Sequence, residues 1–292
     1  MWIGIRIATT DFSTNFLVKT TDPLDAMARL LGNTTLFWKI NRMLTNKKTL
    51  AIASLCLLST FSVQAQWSAG VIGIGQSNPY IGGDTGLNVF PIVAYEGEKL
   101  VWRGPFLDYY VVGTTRTETS VSVNLALAAN DFETDGDPAL VGIEDRDISL
   151  MAGFTFNQEL WNGQFSATLQ TEVTNEHQGQ RATVGWRTAI AKDPRFKWRI
   201  SAGVEVEYLS DKYADYYYGV SAREQQNSAF TAYDVGSVIQ PQLTLGGYYS
   251  FNKNWRLIGN LGWQFLASDI KDSPIIDADT VVDGFIGVTY SF

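Results

Sequence analysis

The chain has 292 residues, 45% of them hydrophobic and 18% charged, at a mean hydropathy of -0.05, and that apolar content excludes a disordered chain. The formal charge of -8 joins two parts of opposite sign: residues 1–65 carry seven Lys/Arg against three Asp/Glu, whereas 66–292 carry fifteen against twenty-seven. The net acidity of the second part argues against nucleic acid as its partner, because phosphate binding needs a cationic face and the composition shows none.

In chain order the first readable element is an export signal. Asn46, Lys47 and Lys48 precede an apolar run over 49–63 that ends in Val63-Gln64-Ala65, the pattern of a signal peptide cleaved after Ala65. The run is shorter than the roughly 20 residues a membrane helix needs. Cys56 lies inside it after Leu55, where a lipoprotein signal requires a small residue, so processing leaves no cysteine for disulfide or thiol chemistry. Residues 1–42 read either as a misassigned upstream start, with Met43 as the true one, or as an extended n-region. This gives 43–65 as signal and 66–292 as the mature domain.

Beyond Ala65 no apolar stretch approaches 18 residues, and no 3.6-residue periodicity persists past two turns; what recurs is alternation. Gly104-Pro105 interrupts the segment 99–113. The stretch 130–146 is an acidic loop, with Asp131, Glu133, Asp135 and Asp137 followed by Glu144, Asp145 and Asp147. These are hard-cation ligand types without EF-hand spacing, so they read as a solvated loop. A looser role is divalent bridging to lipopolysaccharide phosphates. Phe165, Ala167, Leu169, Thr171 and Val173 then alternate with polar neighbours, as do Ala182 to Ile190, Trp198 to Tyr208 and Trp255 to Trp263.

Strand length selects the class. Runs of about 9–11 residues cross a bilayer at a tilt of roughly 45°, and their apolar faces end in aromatics such as Trp198 with Tyr208 and Trp255 with Phe265. Ile286, Val288, Tyr290 and Phe292 form an amphipathic last strand resembling the signal read by barrel-assembly machinery. The expected fold is all-β: a closed antiparallel transmembrane barrel, because an open edge strands backbone groups in hydrocarbon. Gly104-Pro105, splitting 99–113 into two short strands, gives twelve strands; an irregular region there gives ten. With the last residue periplasmic, 114–117, 159–163, 192–197 and 252–254 become short turns, and 130–146, 210–236 and 268–282 become extracellular loops.

The inward faces place Glu172, Glu205 and Glu207 against Arg181, Arg187, Arg199 and Arg256. Mixed signs across a narrow lumen predict a salt-bridged interior rather than a wide pore, with simple hydration as the alternative. The single histidine, His177, falls in a tight extracellular connection, far along the strand from Ser166 and Thr168, so it reads as a turn residue and not part of a hydrolase triad. No catalytic, metal or cofactor site is predicted. In the 210–236 loop, Tyr213, Tyr216, Tyr217 and Tyr218 read as packing onto the barrel mouth, with an aromatic contact patch as the alternative.

Several segments are similar to the MipA/OmpV family of outer-membrane proteins. Phe90-Pro91 through Tyr95-Glu96-Gly97, Leu140-Val141-Gly142-Ile143 with Asp145 and Asp147, Tyr217-Tyr218-Gly219-Val220-Ser221 with Ala232-Tyr233-Asp234, and Ser273-Pro274-Ile275-Ile276 carry the likeness. The resemblance implies a non-enzymatic Gram-negative outer-membrane barrel that scaffolds peptidoglycan synthesis and turnover, with a murein lytic transglycosylase and a peptidoglycan synthase as expected partners. Adhesion, or a small transport or ligand-binding role, stands as the alternative.

Overall fold

The computed structural model describes residues 66–83, 85–128 and 139–292. The expected signal, the stretch upstream of it, and Asp131, Glu133, Asp135 and Asp137 lie outside the described residues.

Twelve antiparallel strands close into one barrel. They are β1 (Gln66–Gln76), β2 (Gly86–Glu96), β3 (Leu100–Arg103), β4 (Phe106–Val112), β5 (Thr119–Ala128), β6 (Ser149–Leu160), β7 (Gly163–Glu172), β8 (Gln180–Lys192), β9 (Trp198–Leu209), β10 (Val238–Ser250), β11 (Trp255–Phe265) and β12 (Thr280–Ser291). Every strand pairs with its sequence neighbours, and β12 pairs with β1 from Ser68 opposite Ser291 to Gln76 opposite Asp283.

Period-two alternation becomes a two-sided wall. Val204 lies opposite Trp186 and Leu243, and exposed Val184, Val204, Val206, Leu243 and Leu245 form part of an apolar exterior. The other parity faces the lumen, where Glu205 lies opposite Gly185 and Gln242. Inward glycines make room for these polar chains: a Cβ on Gly185 would meet the Glu205 side chain at 2.8 Å. Aromatic pairs ring the end that holds both strand termini, with Trp67 against Tyr95 at 4.9 Å and Trp255 against Tyr290 at 5.2 Å. The connections at that end are short; those at the other end, apart from the Gly104-Pro105 corner, are longer, which makes the latter extracellular.

Gly104-Pro105 does split 99–113, and the resulting β3–β4 hairpin is short: β2 pairs with β3 only over Ala94–Glu96. The Gly97 N–H bonds the Leu100 carbonyl, so odd-numbered residues of β2 direct their backbone groups toward β3. Pro91, lacking an N–H, therefore stands where β2 has no partner on that side among the described residues, which is where a strand tolerates proline.

The contiguous hydrophobic core is at the extracellular mouth and not along the barrel. It joins inward strand ends (Ala128, Met151, Leu209, Val238, Val281) to loop residues Tyr80, Leu140, Ile143, Tyr217, Ile270 and Ile275. Three short helices build this lid: α1 (Asp211–Tyr218), α2 (Ala222–Asn227) and α3 (Ser268–Lys271). The Ser210 side chain caps α1 by accepting from the Tyr213 N–H, and Ser221 with Glu224 forms a reciprocal capping box on α2.

Candidate functional site

Four of the five tyrosines of the 210–236 loop sit on α1, and three of these point into the lid. Tyr213, Tyr217 and Tyr218 are buried and Tyr216 is half-buried, so three of the four rings pack into the lid. Tyr217 packs on Tyr213 and Tyr216 at 4.9 Å each. Its carbonyl accepts from the Tyr80 hydroxyl at 2.7 Å, and the Tyr218 carbonyl accepts from Ser273 Oγ at 2.6 Å. Burial raises the hydroxyls of Tyr80, Tyr217 and Tyr218 well above the usual phenol range, so they remain neutral donors.

His177 is at the centre of this cluster, within 5.4 Å of the rings of Tyr213, Tyr216 and Tyr217. The Gly179 N–H donates to its Nδ1 at 2.9 Å, which leaves the proton on Nε2 to donate to Ser149 Oγ at 3.1 Å. Ser149 then donates to Tyr217 Oη, and Tyr217 to the Asp147 carbonyl. The chain runs one way, away from the imidazole. In this tautomer His177 donates to Ser149, the reverse of the proton transfer by which a serine-histidine pair activates its nucleophile. Burial also lowers the His177 pKa, with Glu172 opposing. Ser149 is the neighbour that sequence proximity missed: it stands 28 positions away, on the first residue of β6.

A buried ion pair locks the same lid. Arg146 Nη2 lies 2.8 Å from Glu224 Oε1 with both side chains almost fully enclosed, and Arg146 also donates to the carbonyls of Glu144 and Gly219. Glu224 accepts from the Glu144 and Ser221 N–H groups. Burial alone would raise its carboxyl, but the Ser221 and Glu144 amides and the Arg146 charge hold it below the usual carboxylate range. Gly142 sits beside this junction at φ +91°, and a Cβ there would collide with the Asn227 carbonyl. Between α1, α2 and residues 144–146 lies a cleft of about 220 Å³, lined by Glu144, Asp145, Arg146, Asp215, Glu224 and Asp234 among others. Among the described residues no His/Cys/Asp/Glu group is arranged to hold a metal ion.

Of the seven charges expected in the lumen, four pair. Arg181 Nε lies 2.9 Å from Glu207 Oε1, and Arg187 Nη2 lies 3.5 Å from Glu205 Oε1. Gln240 and Gln264 both donate to Glu207 Oε2. Glu172 differs from the expectation: it accepts from Thr174 and from the Gln178 N–H and organises its own extracellular turn. Among the described residues Arg199 and Arg256 are also outside any ion pair, and they stay exposed near the periplasmic mouth, with Arg256 5.0 Å above the Tyr248 ring. In the last strand Ile286 and Val288 face outward, and the Phe292 N–H bonds the Trp67 carbonyl where β12 meets β1.

The sequence profile of the family described as MltA-interacting protein MipA matches residues 69–292. Among characterised relatives, the MltA-interacting protein of Escherichia coli K12 is 25% identical over 252 residues, covering 85% of this chain and all of that one. The outer membrane protein OmpV of Vibrio cholerae is 23% identical over 218 residues, 75% of this chain and 83% of that one. Among solved structures, the COG4313 outer membrane channel of Pseudomonas putida F1 aligns at a TM-score of 0.40 with 11% identity, over 81% of this chain and 98% of that one. The profile match spans most of the chain and the relatives are outer-membrane proteins: this chain belongs to the MipA/OmpV family and is a β-barrel of the Gram-negative outer membrane.

Proposed function

We propose that the barrel is a non-enzymatic interaction protein that scaffolds peptidoglycan synthesis and turnover, with a murein lytic transglycosylase and a peptidoglycan synthase as its partners. The observation that carries this reading is the closed mouth: eighteen buried residues pack as one core where a pore would open, and paired charges cross the lumen beneath it. The one histidine is tied into a proton chain that points the wrong way for catalysis. A relative named for interaction with MltA supplies the class of partner.

The competing reading is a small ligand-binding or transport barrel, favoured by the carboxylate-lined cleft beside α1. Two measurements separate them. The purified barrel should retain a lytic transglycosylase on co-purification and show no stepwise conductance in planar bilayers. Steady conductance steps without retention would establish the competing reading instead. Assembly is read from Ile286, Val288, Tyr290 and Phe292 as the segment engaged by the barrel-assembly machinery; Phe292→Ala should lower the outer-membrane level of the protein, and an unchanged level would remove that role.

A further inference from the structure

The periplasmic rim is electrically lopsided. The β8–β9 and β10–β11 ends carry Lys192, Arg195, Lys197, Arg199, Lys253 and Arg256 against one carboxylate, Asp193. All six cations are exposed, and among the described residues none is in an ion pair. Asp193 offsets one of the six charges and leaves the sector net cationic; its Oδ2 accepts from the Arg195 and Lys197 backbone N–H groups and is held in its own turn. The opposite arc is mixed and slightly acidic, with Glu96, Glu98, Glu118 and Glu159 against Lys99 and Arg116, and Glu96 is paired to Arg103. A cationic sector on a domain whose other charges are mostly acidic is a local feature and does not follow from composition.

Three of the six face inward. Arg199 shares the parity of Glu205 and Glu207 on β9, Lys192 is its register partner on β8, and Arg256 shares the parity of Gln264 on β11. Arg195, Lys197 and Lys253 continue the patch onto the two turns, beside exposed Phe196 and Phe251. Membrane headgroups lie outside the wall and cannot reach the inward set. Four strands at about 4.8 Å spacing spread the charges over roughly 14 Å, more than one phosphate spans. Cations with flanking aromatics at that spread match an extended acidic polypeptide, whose carboxylates recur along one chain.

We propose that the β8–β11 sector of the periplasmic mouth is the docking surface for an acidic segment of a soluble periplasmic protein, part of which enters the lumen. This rests on the interaction-protein reading above and gives it the surface that short turns alone do not provide. The test uses the whole barrel in detergent micelles and a fluorescent polyglutamate peptide followed by anisotropy. The wild type should bind in a salt-sensitive way, and the triple variant Arg195→Glu, Lys197→Glu, Lys253→Glu should bind at least about tenfold more weakly. Arg199→Gln with Arg256→Gln should also weaken binding, and Glu98→Gln with Glu118→Gln should not. Heat-modifiable migration on gels checks that each variant is folded. Equal binding by the wild type and the triple variant overturns the proposal, as does a triple-variant defect seen only with purified murein sacculi. A transglycosylase retained equally by all variants overturns it and leaves the scaffold intact. Polyglutamate binding through this sector without transglycosylase retention supports it and removes the scaffold partner.

Discussion

The two ends of the barrel hold themselves together in different ways. At the extracellular end, loops from five connections share one core, one enclosed ion pair and one directed hydrogen-bond chain, so each loop depends on the others. At the periplasmic end each of three turns carries its own local bonds, with only single contacts to neighbours: Asp193 caps 193–197, Asn252 accepts from the Asn254 and Trp255 N–H groups, and Thr117 closes its own turn on Thr114. Strand pairing joins the two ends but does not couple their side chains. Lesions in the lid should therefore spread through the lid and spare the wall, and lesions in the turns should stay local.

The sharpest way to break this contrast is Tyr217→Ala. The ring is fully buried among Tyr213, Tyr216 and His177, so its loss should destabilise the lid by about 3–5 kcal/mol. Hydrogen exchange should show α1 and α2 exposed while β8–β11 stay protected; protection lost equally in both would mean that lid and wall are one cooperative unit. Glu224→Gln comes next. It leaves the Arg146 guanidinium enclosed without its counter-charge, at a cost of about 3 kcal/mol, read as faster proteolysis of the 210–236 loop. Unchanged proteolysis would show that the pair is dispensable.

Acid offers a milder probe. His177 sits below the ordinary imidazole value of 6.5, so the opened lid binds more protons than the closed one once the pH falls below about 6.5. Its protonation also breaks the bond from the Gly179 N–H. Glu224 is held below the ordinary carboxyl value of 4.5, so its contribution is intact at neutral pH and lost as the pH falls through that range. Lid exchange should thus accelerate first below about pH 6.5 and again below about 4.5, and His177→Asn should remove the first step alone. A single step shared by wild type and variant would assign the acid response to other groups. The smallest expected effect is Lys253→Ala in the exposed 251–254 turn, within about 0.5 kcal/mol of the wild type by thermal melting; a larger shift would show that the turns are more than connectors.

The wall was readable because each strand writes its own period. Trp198 to Tyr208 and Trp255 to Phe265 alternate without reference to any other segment, and Gly104-Pro105 marks the β3–β4 corner by local backbone chemistry. The lid was not readable in the same way. α1 is eight residues long, with tyrosines on more than one side, so no helical period emerges from it. One local signal was present and unused: Ser221 followed three positions later by Glu224 is a capping box. The meeting of His177 with Ser149 has no local signature, since the register of β6 and β7 creates it. Charges divided along the same line. Arg181 with Glu207 and Arg187 with Glu205 follow from facing parity, but Glu172 found a nearer set of donors in its own turn, and Arg199 and Arg256 lie too close to the mouth to meet an acid.

The abbreviated β3–β4 hairpin ties its arm length to the identity of one residue on the neighbouring strand. Were both arms grown upward, they would ask position 91 for a backbone proton that Pro91 does not possess. Homologues with longer arms should therefore have exchanged the proline for an ordinary β-former, and those that keep it should keep the hairpin stunted. The two traits should be inherited together.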